Sequence, residues 1–141
     1  MVRSQRERVQ WSVNKAQEFY DSAIQNIEAN RRYPAAEEVF RSVESCLTAL
    51  LYNEGITRIE YKNWTGTLTG RLAHQSLVRE YLFRQGIISN EEYQKYLNLV
   101  NDLHHEGYQP GKVFDKQDLF NYAEFAENLI IKVRTTISRP K

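Results

Sequence analysis

One cysteine stands in the 141 residues, Cys46, so no disulfide framework can form within a chain and a reducing compartment is the easier fit. With only three histidines (His74, His104 and His105) beside it, a Cys/His zinc site lacks ligands, and neither a metal nor a cofactor is expected. Six glycines and three prolines are too few for a fibrous or low-complexity chain. An excess of one charge is also missing. Nineteen basic residues against eighteen acidic ones give +1, so any attraction to nucleic acid must come from a local patch. No apolar run approaches the roughly 20 residues that cross a bilayer, and Met1 through Gln10 is charged without an apolar stretch behind it. The expected compartment is the cytoplasm, with no membrane partner.

What remains is the composition of a globular protein, 41% hydrophobic and 26% charged, long enough for one self-sufficient domain over residues 1–141. The 3.6-residue period marks about five amphipathic segments. Val9, Val13, Ala16, Tyr20, Ala23 and Ile27 share one face of the first. The second begins near Pro34, carries Val39, Phe40, Val43, Leu47, Leu50 and Leu51, and stops at Gly55. Residues 56–67 read as an ordered loop. A third helix over about 68–85 closes at Gly86. Ser89 and Glu92 form a capping box for the fourth, whose stripe runs Tyr93, Tyr96, Leu97, Val100, Leu103 and ends at Gly107. After the Gln109-Pro110-Gly111 turn, Asp115 caps a last helix with Leu119, Tyr122, Ala123, Ala126, Ile130 and Val133 inward. No segment alternates with period two. Short connections make neighbours antiparallel, which predicts an all-α, up-and-down bundle.

From residue 32 onward the order of these signals resembles the HEPN family, especially its small stand-alone prokaryotic members. The run from Arg32-Tyr33-Pro34-Ala35-Ala36 to Ala49-Leu50-Leu51 and Gly55-Ile56 is similar to that family's central helix. Ala73-His74-Gln75-Ser76-Leu77 matches a histidine that often opens the next helix, and Gln85-Gly86-Ile87-Ile88 with Glu92-Tyr93 falls in the expected place. Gly107-Tyr108 and Asp118 through Val133 resemble the closing turn and final helix.

The resemblance implies a homodimer in which paired motifs meet in a cleft. Active members place an arginine four to six residues before a histidine, a set suited to metal-independent endoribonuclease chemistry. The imidazole moves protons at the ribose 2′-hydroxyl and the leaving oxygen, and the guanidinium grips the phosphate. Here the matching stretch reads Leu99-Val100-Asn101-Asp102-Leu103-His104-His105-Glu106-Gly107-Tyr108. The histidine is doubled but the arginine is missing; the nearest upstream cation is Lys95 and the nearest arginine Arg84. Asn101 resembles the polar residue that often comes after the motif arginine, yet an amide supplies no positive charge.

Candidate catalytic residues are therefore His104 and His105, with Asn101, Lys95 and Tyr108 as candidate contacts to RNA or a nucleotide. A packing or capping role competes for the histidine pair, because His104 continues the apolar stripe and a helix C-terminus favours a cation. His74 reads as a structural contact, Tyr108 as an anchor of its turn. The Arg3, Arg6, Arg8, Arg31, Arg32 cluster and the Lys132, Arg134, Arg139, Lys141 cluster read as solvated faces, and Trp11 and Trp64 fit an interface or a core equally well.

Three functions are compatible with these features. The first is a dimeric helical module partnering a minimal nucleotidyltransferase, in a toxin–antitoxin or RNA-related system. The second is a divergent ribonuclease using His104 or His105, its cation drawn from Lys95 or the second subunit. The third is a nucleotide-binding bundle, for which no glycine-rich phosphate loop speaks.

Overall fold

The structure, a computed structural model, describes residues 4–63, 66–105 and 109–138, without the side chains of His104, His105 and Ser138. It is the all-α bundle expected. Helix α1 spans Gln5–Glu28, α2 Arg32–Asn53, α3 Gly70–Leu77, α4 Asn90–Leu99 and α5 Lys116–Ser138. Helices α3 and α4 each run on into a π-helical turn, Val78–Phe83 and Val100–His105 respectively.

Helices α1, α2 and α5 pack on one another, and the two π turns lean on α2. The chain reverses between α1 and α2 through Asn30, whose positive φ of 61° suits an asparagine. Small residues let those helices approach closely: Ala16 and Ala23 of α1 and Ala35, Ala36 and Ala49 of α2 are buried. Two buried serines staple the seam in opposite senses. The Ser12 hydroxyl donates to the Ser45 carbonyl at 2.7 Å and the Ser42 hydroxyl to the Ala16 carbonyl at 2.8 Å. Both donors are thereby satisfied where water is excluded. Val39, Val43, Leu47, Leu50 and Leu51 then meet Leu119, Ala126, Leu129 and Val133 in the core.

Within 56–67, where the sequence reads as an ordered loop, the described residues include paired strands. Strands β1 (Glu60–Asn63) and β2 (Gly66–Thr69) pair antiparallel, with Tyr61 opposite Leu68. Each strand has four residues, and only Glu60, Tyr61 and Leu68 are even partly covered. Period-two alternation cannot show over so short and exposed a span; the β-branched and aromatic composition was the available signal. Because β2 runs to Thr69, α3 starts at Gly70 rather than 68.

The predicted caps are present. Gly55 and Gly86 take φ of 88° and 75° at the ends of α2 and of the first π turn. Ser89 Oγ accepts from the Glu92 amide at 3.0 Å while the Glu92 carboxylate accepts from the Ser89 amide at 2.8 Å. Asp115 accepts from the amides of Gln117 and Asp118. The expected stop at Gly107, like Trp64, lies outside the described residues.

Candidate functional site

Helix α4 and its π turn are joined to α5 by long side chains. At one end Lys132 Nζ donates to Glu92 at 2.9 Å, adding an ion pair to the capping box. That partner and the Ser89 amide hold the Glu92 carboxyl below its usual range, against the opposing effect of burial. At the other end the Tyr122 hydroxyl donates to the Asp102 carboxylate. Between them a groove of about 270 Å³ is lined by Lys95, Asn121, Tyr122, Glu124, Phe125 and Asn128.

The sequence-derived site residues distribute unevenly around that groove. Lys95 lines it, exposed and 3.3 Å from the Glu91 carboxylate one turn earlier. Asn101 is exposed on the π turn. His104 and His105 close the same turn in the backbone, their side chains outside the described residues, as is all of Tyr108. The structure thus brings Lys95 and Tyr122 to one groove, and Tyr122 reaches the histidine segment through Asp102. Sequence reasoning missed that link. Tyr122 looked like one more inward residue of α5, and twenty residues separate it from Asp102.

A second polar cluster was also missed, apart from His74 itself. His74 of α3 is buried, with Nε2 3.0 Å from Thr48 Oγ1 and Nδ1 3.4 Å from the Tyr96 hydroxyl. Thr48 donates its proton to the Glu44 carbonyl, so its oxygen must accept from His74 Nε2–H. Nδ1 is left to accept from Tyr96. That arrangement suits a neutral ring, which burial favours by pushing the pKa down to about 4, with the Arg71 charge adding to that and a backbone hydrogen bond to Glu44 opposing it. Burial likewise raises the Tyr96 hydroxyl. This is the structural contact that the sequence suggested, built into a four-residue relay from α2 to α4. An open cavity of about 390 Å³ borders it, lined by Glu44, Thr48, Ile59, Gly70, Arg71 and His74.

Among the described residues no group of three or more His, Cys, Asp or Glu side chains is placed to hold a metal ion. Nor is any described helix long and apolar enough to cross a membrane. No curated protein matches the chain. Residues 9–135, which run from α1 through nearly all of α5, match the model of the HEPN domain family, and the chain belongs to that family.

Proposed function

We propose that this protein is a HEPN module that works by association: a homodimer that partners a minimal nucleotidyltransferase, in a toxin–antitoxin or RNA-related system. The observation carrying this reading is the charge of the histidine segment. Residues 99–105 hold no lysine or arginine, and their one ionisable group besides the histidines, Asp102, is an acid held by Tyr122. A phosphate drawn toward the histidines meets a carboxylate and no guanidinium, which is the wrong sign for stabilising phosphoryl charge. The helical framework persists around a segment without its anion clamp, as suits a module kept for binding.

The test is RNA cleavage in EDTA by the purified protein beside a His104→Ala/His105→Ala double variant, with sedimentation to establish the dimer. Equal silence from two folded dimers supports the reading. Cleavage by the wild type alone overturns it.

That outcome belongs to a second reading, a divergent metal-independent ribonuclease with His104 and His105 as proton carriers. Asn101, Lys95 and Tyr108 would contact the RNA. The backbone favours it at one point: both histidines stand in a π turn, a feature concentrated at functional sites. Lys95, or a cation of the second subunit, then supplies the charge that the segment lacks.

A further inference from the structure

Among the described residues, the cavity beside His74 shares no lining residue with the histidine segment or its groove. Its back wall is the Thr48–His74–Tyr96 relay, whose polar atoms already face one another. That wall is buried, and burial favours the neutral forms of His74 and Tyr96. The charge lies at the mouth, on Glu44 and Arg71, which are 30% and 38% exposed and so remain reachable.

These two groups face each other without closing. Arg71 Nε is 3.6 Å from Glu44 Oε2, beyond hydrogen-bond distance, and it is sealed from solvent with no hydrogen-bond partner among the described residues. The guanidinium sits 4.8 Å over the Phe40 ring, which holds it in place. Burial raises the Glu44 carboxyl even with the Arg71, Arg41 and Lys15 charges lowering it, so desolvation outweighs its cations. The exposed parts of the two side chains, rather than the sealed Nε, are what a ligand in the cavity meets, and one that answers both charges at once fits them best. A lone anion on Arg71 would crowd Glu44 with like charge, and a lone cation on Glu44 would crowd Arg71. A nucleotide brings at least one phosphate charge to a site whose single arginine is already matched by a carboxylate. A neutral molecule carrying both charges on one carbon meets neither penalty, and Ile59 gives it an apolar wall.

We propose that this cavity binds a small zwitterion, a free α-amino acid with an apolar side chain. Arg71 donates to its carboxylate, Glu44 accepts from its ammonium group, and Ile59 contacts the side chain.

The test uses the full chain and leucine, isoleucine, valine and methionine at millimolar concentration, read by thermal unfolding and calorimetric titration. N-acetylleucine and isoamylamine, each lacking one of the two charges, serve as controls. A saturable upward shift in Tm is expected with at least one amino acid and with neither control. Glu44→Gln and Arg71→Gln abolish it, and Arg71→Lys, which keeps the charge without the fork, weakens Kd by about tenfold. Should a variant fail to fold by circular dichroism, the controls on the wild type decide alone. No saturable shift with any of the four, or equal shifts from the controls, overturns the proposal. A shift with GMP or AMP and none with the amino acids overturns it too.

Discussion

Tyr122 of α5 donates its hydroxyl proton to Asp102, and so anchors the π turn that carries His104 and His105. Tyr122→Phe removes this bond and leaves the partly buried carboxylate short of a donor. A hydrogen bond to a charged group contributes about 1.5–3 kcal/mol, and a loss at the lower end is expected in urea unfolding. In the NMR spectrum the His104 and His105 imidazole signals should move while those of His74 stay. Shifts of all three together would mean a global loosening instead.

His74 ties stability to acid. Its folded pKa of about 4 lies below the ordinary 6.5, so the unfolded chain binds the proton more readily. The neutral ring's contribution is complete above pH 6.5 and disappears as pH falls toward 4. Integrated over that window it is about 3 kcal/mol. Glu44, raised by burial, has the opposite sign: its contribution is present at low pH and lost as pH rises through its folded pKa. The clean measurement is therefore a difference. Between pH 6.5 and 4, wild type should lose more unfolding free energy than His74→Gln, and parallel profiles would refute the assignment.

The helices and their ends were legible because their signals are local. The stripe from Val39 to Leu51, the Ser89–Glu92 box and the Asp115 cap each lie within a few turns of chain, and each is where the periodicity and capping rules put it. The hairpin was not, since Tyr61 and Leu68 are almost alone in facing inward. The π turns were not either, because an i→i+5 closure leaves no trace in residue type. Polar links across the bundle are the least visible of all. Tyr122 to Asp102 and His74 to Thr48 join positions 20 and 26 residues apart, and nothing in either helix's own pattern names its partner. In the candidate site, the missing arginine of the histidine segment showed in the letters, whereas the acid–tyrosine contact beside it needed the fold.

Cys46 should be inert in the native protein. It is fully buried in α2, and burial pushes its thiol up, away from the reactive thiolate. Ellman's reagent should find no thiol at neutral pH in buffer and one per chain in guanidinium. Reaction in buffer at a rate beyond that of global unfolding would show that α2 opens locally.

Asn101 offers a direct way to ask whether a cation is all that the histidine segment lacks. It is exposed and four residues before His105, so Asn101→Arg adds a guanidinium without burying it. The expected outcome is a gain of RNA cleavage in EDTA that vanishes when His105→Ala is added. An inactive, folded Asn101→Arg protein would mean that the segment has lost more than its charge.

The π turn at Val100–His105 makes side-chain direction there a matter of residue count. An α-helical continuation would place His104 on the stripe of Leu97, two turns on. The wider turn takes up an extra residue, and each residue of offset rotates the backbone positions after it by roughly 100° about the axis. Deleting one residue between Val100 and Leu103 would thus reorient both histidines relative to α4 while leaving their identity and neighbours in the chain intact. A one-residue change in the length of this turn would keep both histidines in the sequence and alter where the backbone presents them.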